Sequence, residues 1–285
     1  MKMSQDTRTD GLVFASVSRL SKETNPLCEN MQKKVNENSI KEEFANARRN
    51  PGQVVIEGFH AVKHAIRFGA EITLLASSSP ERVCKLADEL APDLRERLPG
   101  DICPVEEELF RSLTPRPVDT GLVGIARRPG FDGAEILSSP RETPVILIER
   151  AAHLGNLGAI VRTSAAAGAR AVVTLDDVDP WHPAALRGSA GLHFALPVGR
   201  IYQTVLHAPT ARPLWAIDPD GAAIGGRTIP DNVILAFGSE RHGLSKRLLG
   251  HADERVSLPM RAGVSSLNLA ASVAALLYCW RLGAC

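Results

Sequence analysis

The sequence has no excess of charge. Its 33 Lys+Arg stand against 32 Asp+Glu, a net charge of +1. That excludes a uniformly basic coat, although a local basic patch can still meet nucleic acid. It also lacks paired cysteines. Cys28, Cys84, Cys103, Cys279 and Cys285 are odd in number and none stands in a CxxC pair, so neither a disulfide framework nor a zinc-site spacing is present. A reducing compartment is the natural expectation. No apolar run approaches the roughly 20 residues that cross a bilayer, and the N-terminal residues carry no signal-like apolar core. The expected class is a soluble cytoplasmic protein. Internal repeats and low-complexity tracts are lacking as well.

Several chemical signatures are missing too. There is no GxGxxG dinucleotide fingerprint, no GxxxxGK[ST] phosphate loop, no GxSxG nucleophile elbow and no HExxH. His60 and His64 stand at helical i,i+4 spacing, but without a third ligand they carry no metal site.

What is present is ordinary globular composition, 44% hydrophobic and 23% charged, enough for a sizeable core. The length suggests two domains. Residues 1–50 are polar, with Lys33, Lys34, Lys41, Arg48 and Arg49 alternating with glutamates. They read as a solvated, partly helical arm, or as an extension that touches RNA. From Gln53 the pattern alternates: strand Val54–Ile56, helix His60–Phe68, strand Ile72–Ala76, helix Pro80–Leu90, a further unit over Cys103–Leu113, and strand Gly121–Ala126. This predicts a small α/β domain over residues 51–128. Residues 129–143 have the Pro/Gly content of a linker.

Residues 144–285 predict a second α/β domain with a mostly parallel sheet and helices on both faces. Its strands are Val145–Ile148, Ala171–Leu175, Leu214–Ile217 and Val233–Phe237. Helix Leu157–Ala167 ends at Gly168, a C-cap glycine. The last segment, Ser265–Arg281, is a helix apolar over more than one face, and a helix apolar nearly all round is buried.

Ligands of open α/β sheets bind at the carboxyl ends of strands, and three segments there combine glycine with polar residues. In Gly155–Arg162, Asn156 is placed to cap the helix and Arg162 to share its site, although on spacing alone a capped helix with a surface arginine is the plainer reading. In Gly238–Leu244, Glu240 is a carboxylate in a glycine-flanked loop, with His242 a weaker candidate. In Leu258–Asn268, Ser265 or Ser266 caps the last helix, whereas Asn268, a mediocre helix former, points to a hydrogen-bonding role.

Taken together, these segments resemble the SpoU (TrmH-like) branch of the SPOUT RNA methyltransferases. Asn156, Gly158 and Arg162 match its first motif. Gly238, Glu240, Gly243 and Leu244 match the second. Pro259 and Met260, then Ser266, Leu267 and Asn268, match the third, and Arg187–Val198 is similar to the family's middle segment. His153-Leu154 stands where the family often has Asp-Pro. Val55-Ile56-Glu57-Gly58 and the helix after it resemble the L30e-like substrate-binding domain that precedes many such catalytic domains.

The resemblance implies a C-terminal trefoil knot, S-adenosylmethionine as cofactor, transfer of its methyl group to a ribose 2′-hydroxyl of ribosomal or transfer RNA, and a homodimer. It implies Arg162 as the catalytic arginine, with Asn156, Glu240, Ser266 and Asn268 positioning it, the RNA or the cofactor. Gly238, Leu258 and Leu267 are the implied cofactor contacts. Whether Arg162 acts as a base or binds the adjacent phosphate stays open. A non-catalytic RNA-binding homologue is the alternative, and a small-molecule methyltransferase on a Rossmann sheet is disfavoured by the missing glycine fingerprint.

Overall fold

Two sheets organise the chain. The computed structural model describes residues 37–283 apart from 96, 99–101, 140–142, 176–177, 203–211 and 240. The first unit runs α1 (Glu37–Arg49), β1 (Gln53–Glu57), α2 (Phe59–Arg67), β2 (Ile72–Ser77), α3 (Pro80–Leu90), β3 (Ile102–Pro104), α4 (Glu107–Leu113) and β4 (Leu122–Arg127). Its sheet has the order β1-β4-β2-β3, antiparallel except for the β2–β3 pair. Gly58 ends β1 with φ +91°, a conformation that favours glycine.

The α1 helix lies inside the stretch that charge alternation reads as an arm. Its Ile40, Phe44 and Ala47, at i, i+4 and i+7, are buried against Val55, Leu74, Phe110 and Ile125. Glu37 opens the helix and Arg48 and Arg49 close it, each sign opposite the helix-dipole end it meets.

The second unit begins with α5 (Gly133–Ser138), a short helix within the proline- and glycine-rich stretch. Asp132 caps it by accepting from the Glu135 backbone N–H at 3.0 Å. Then follow β5 (Val145–Glu149), α6 (Leu154–Ala167), β6 (Ala171–Leu175), α7 (Pro183–Gly188), β7 (Val198–Ile201), β8 (Leu214–Ala223), β9 (Ile234–Phe237), α8 (Lys246–His251), β10 (Glu254–Ser257) and α9 (Leu269–Leu282). The six strands are all parallel, in the order β10-β8-β9-β5-β6-β7.

Side chains of a strand alternate between faces, and the large sheet shows this directly. Val145 and Leu147 pack under α5 and α8, whereas Ile146 and Ile148 pack under α6 and α9. Gly168 closes α6 at φ +78°, as its sequence position predicts.

The second face of the small sheet shares its core with the large one. Val54, Ile56, Val62 and Ala65 belong to the same buried cluster as Ile148, Leu157 and Val273. Two polar contacts, Arg187 with Glu57 and His64 with Ala190, lock this junction. The Glu57 carboxylate, nearly buried, accepts from Arg48 of α1 at 3.2 Å and from Arg187 of α7 at 3.0 Å. His64 Nδ1 donates to the Ala190 carbonyl at 2.7 Å. Gly191, at φ +79°, presses on α2 so closely that a Cβ there would lie 2.5 Å from the Ala61 carbonyl oxygen.

Candidate active site

The loops that follow β9 and β10 meet at the carboxyl ends of the parallel strands. Between them and the irregular middle of β8 lies a cavity of about 350 Å³. Gly238, Ser239, Arg241 and Gly243 line one side, Leu258, Met260, Ser265, Ser266 and Leu267 the other, and Asp218, Phe237 and Leu269 complete it. That size and mixture suit a small organic ligand.

The β9 loop is tightly built. Ser239 and Gly243 exchange backbone hydrogen bonds at 3.2 and 2.9 Å, and the Ser239 hydroxyl accepts from the His242 N–H at 3.2 Å. A Cβ on Gly238 would fall 1.9 Å from the Gly243 carbonyl carbon. Only glycine lets the strand end pass beneath its own turn. Glu149, buried at the end of β5, accepts from the Ser245 N–H at 2.6 Å, and Ser245 Oγ caps α8 by accepting from the Leu248 N–H at 3.1 Å. Glu149 thus pins the far end of the loop. Sequence reading missed it. Its signal is a lone carboxylate ending a run of four apolar strand residues, Val145–Ile148.

The β10 loop ends differently from its expectation. The last helix starts at Leu269, and neither Ser265 nor Ser266 caps it. Asn268 is the cap, its Oδ1 accepting from the Ala271 N–H at 3.2 Å. The reason is local: an Asn side chain places an acceptor as well as Ser does, and it stands one residue before the apolar run. Asn156 is likewise not a cap. The α6 helix begins at Leu154 after His153, so Asn156 sits in the first turn, and its Oδ1 accepts from Asn268 Nδ2 at 3.3 Å. Gly158 serves packing: a Cβ there would lie 2.3 Å from the Ala185 carbonyl oxygen of α7.

A sequence model of the SpoU rRNA methylase family matches residues 143–278. The chain is also 30% identical over 244 residues to the 23S rRNA (adenosine(1067)-2′-O)-methyltransferase of Streptomyces azureus, an alignment covering 81% of this chain and 87% of that one. The chain belongs to the SpoU rRNA methylase family.

Another relative, the 23S rRNA (guanosine(2553)-2′-O)-methyltransferase of Bacillus subtilis, is 27% identical over 242 residues, 81% of this chain and 89% of its own. A solved RNA 2′-O ribose methyltransferase superposes with a TM-score of 0.68 at 28% identity, covering 86% of this chain and 96% of that one. The SpoU methyltransferase AviRb from Streptomyces viridochromogenes, solved with its cofactor AdoMet, shares the fold at a TM-score of 0.70 and 22% identity, over 86% of this chain and 97% of that one.

Within the SpoU fold, the candidate residues divide into groups. Gly238, Leu258, Ser266 and Leu267 line the cavity. Asn156 and Asn268 meet beside it, Asn268 standing between two lining residues. Glu240 lies outside the described residues. Arg162 is exposed on α6 and is not among the residues lining the cavity. Burial lowers the proton affinity of His60 and Lys63 of α2, and the positive charge of Arg162 adds to that effect at both. Sequence reading did not join these two α2 residues to Arg162.

Proposed function

We propose that the protein transfers a methyl group from S-adenosylmethionine to a ribose 2′-hydroxyl of ribosomal RNA. The observation that carries this reading is the single cavity formed by the second- and third-motif loops, with the Asn156–Asn268 pair at its side. The names of the relatives favour ribosomal over transfer RNA.

The residues fit the cofactor. Gly238, held without a Cβ under its own turn, lines the cavity, and Leu258 and Leu267 offer an apolar bed. When bound, S-adenosylmethionine supplies an electrophilic methyl group. A ribose hydroxyl is a weak nucleophile, so the protein's part is to orient it and to assist loss of its proton. Arg162 carries a guanidinium fork suited to the phosphate next to the target ribose. Asn268, capping α9 and bonded to Asn156, fixes the first turn of α6, the helix that presents Arg162. Ser266 and Glu240 keep the positioning roles that the family motifs imply.

The reading extends to a homodimer. Ala271, Ala275, Tyr278 and Leu282 form an outward stripe on α9, with Tyr278 and Leu282 among the exposed large apolar side chains. A two-fold pairing across it would be the commonest symmetry. No helix among the described residues is long and apolar enough to cross a membrane, and the cytoplasm, where the RNA lies, is the proposed location.

The test is transfer of radiolabelled methyl from S-adenosylmethionine to in vitro transcribed 23S rRNA by the whole chain, with the site mapped by resistance to alkaline cleavage. Transfer to a ribose is expected, nearly abolished in Arg162→Ala while cofactor affinity stays within a few-fold. Absence of transfer from the wild-type protein to rRNA and tRNA alike overturns the reading.

A further inference from the structure

Strand β8 leaves its partner in mid-course. Trp215 and Ala216 pair with Glu254 and Arg255 of β10, and Ala222 and Ala223 pair with the next two, Val256 and Ser257. Residues 217–221 therefore have no counterpart on β10 and form an excursion from the strand. Extra residues of this kind re-aim side chains and gather beside active sites. The return is tight. A Cβ on Gly221 would lie 2.6 Å from the Val256 nitrogen, and the Ser257 hydroxyl donates to the Gly221 carbonyl at 2.9 Å. Glycine lets the excursion close against β10.

The excursion carries Asp218 into the wall of the cavity, between Ile217 and Pro219. Only 13% of its side chain is exposed. Oδ1 accepts from the Asp220 N–H at 2.9 Å and pairs with Arg255 Nη2 at 3.2 Å. Those two contacts orient the carboxylate through one of its oxygens. An ionised carboxylate offers about four lone-pair sites, so acceptor capacity remains for a ligand. Burying such a group is costly unless its hydrogen bonds are met. Arg255 already answers the charge, so the remaining need is for neutral donors and not for a second cation.

S-adenosylmethionine has one pair of adjacent neutral donors, the 2′- and 3′-hydroxyls of its own ribose. Its sulfonium and ammonium groups are cations, and its adenine is a flat ring better suited to the apolar side of the cavity, at Leu258, Leu267 and Leu269. We propose that Asp218 holds the cofactor's ribose by accepting from that diol, and so makes the cavity selective for a ribonucleoside. This rests on the reading of the cavity as the S-adenosylmethionine site. Asp218 lies outside all three motif segments, and it acts on cofactor affinity and not on the methyl group that moves.

The experiment measures, by calorimetry on the full chain, binding of three probes: S-adenosylhomocysteine, its 2′,3′-dideoxyribose analogue, and 5′-methylthioadenosine, which lacks the amino-acid end. The proteins are the wild type, Asp218→Ala, Asp218→Asn and Asp220→Asn. Asp220 is exposed and is not among the residues lining the cavity. Hydrogen bonds to a charged group are the strong ones, so the wild type is expected to prefer S-adenosylhomocysteine over the dideoxy analogue by roughly ten- to hundred-fold. Asp218→Ala is expected to lose that preference by weakening for the ribose probe alone. Asp218→Asn, which keeps one acceptor, should retain part of it, and Asp220→Asn all of it. Wild-type preference in both Asp218 variants overturns the proposal and leaves the cofactor reading standing. Equal loss for the ribose and dideoxy probes makes Asp218 a structural residue and overturns it too. A fall confined to the preference over 5′-methylthioadenosine gives Asp218 to the ammonium, and the ribose assignment falls. A wild type that binds none of the three probes sinks the cofactor reading and the proposal with it.

Discussion

Asn268 donates through Nδ2 to Asn156 Oδ1 at 3.3 Å, although 112 residues separate them. The same Asn268 side chain accepts from the Ala271 N–H. One amide thus starts the last helix and steadies the first turn of α6.

The two jobs can be separated. Asn268→Asp keeps the capping acceptor and loses the donor to Asn156, whereas Asn268→Ala loses both. Urea unfolding is expected to find Asn268→Ala less stable by about 1 kcal/mol and Asn268→Asp close to wild type. Methyl transfer should fall in both. Wild-type transfer by Asn268→Asp would reduce the Asn–Asn contact to a structural one.

Two glycines of α6 should respond oppositely to alanine. At Gly155 nothing lies within 4 Å of an added Cβ, so the better helix former should stabilise by up to about 1 kcal/mol. At Gly158 the Cβ would meet the Ala185 carbonyl oxygen at 2.3 Å and Gly188 Cα at 2.7 Å, backbone atoms that cannot swing aside. Overpacking of this kind costs about 1–3 kcal/mol. Urea midpoints of the two variants check the contrast.

His193 supplies a pH dependence. It is buried, Nε2 donating to the Pro180 carbonyl at 2.8 Å while Nδ1 accepts from the Ser189 hydroxyl at 2.7 Å. Burial lowers its pKa from 6.5 to about 4. The unfolded chain therefore binds this proton first on acidification, so stability is full above about pH 6.5 and declines as pH falls toward 4. Replacing His193 with Gln should flatten that part of the stability curve, even if it lowers stability throughout. An unchanged slope between pH 6.5 and 5 in the variant would show that other groups cause it.

Dimer formation should depend on the outer stripe of α9 and not on its inner face. Leu277 is fully buried within the chain, so a charge there would unfold the subunit. Ala275→Arg is expected to halve the mass seen by light scattering at micromolar concentration and to leave the circular dichroism of the fold intact. A wild-type protein already monomeric at that concentration removes the dimer.

Legibility followed the range of the interactions. The β5 strand, the α6 helix with its Gly168 stop, and the Gly58 turn were readable because neighbouring residues alone determine them. The Asn268 cap was missed because Ser265, Ser266 and Asn268 compete within four positions, and only the tertiary path of the loop chooses among them. The α1 helix carried a usable i, i+4, i+7 signal at Ile40, Phe44 and Ala47, masked by surrounding charge. Trp280 has the composition of an interface residue, yet its Nε1 donates to Asp231 at 2.7 Å in the same chain. Strand order depends on long-range pairing, and the seating of the Ala190–Gly191 turn on α2 depends on how the units dock, neither of which a local pattern encodes.

The clamp on Glu57 bears on modularity. Arg48 comes from α1, Glu57 from the small sheet and Arg187 from the methyltransferase half, so three stretches of sequence share one carboxylate. A chimera that grafts another first unit onto residues 144–285 would strand Arg187 unless it also brought an acid to that position, a small side chain opposite Gly191 and a donor for the Ala190 carbonyl. The front half is not an interchangeable cartridge. Substitutions on the exposed surface of the small unit should therefore be tolerated better than exchange of the unit itself.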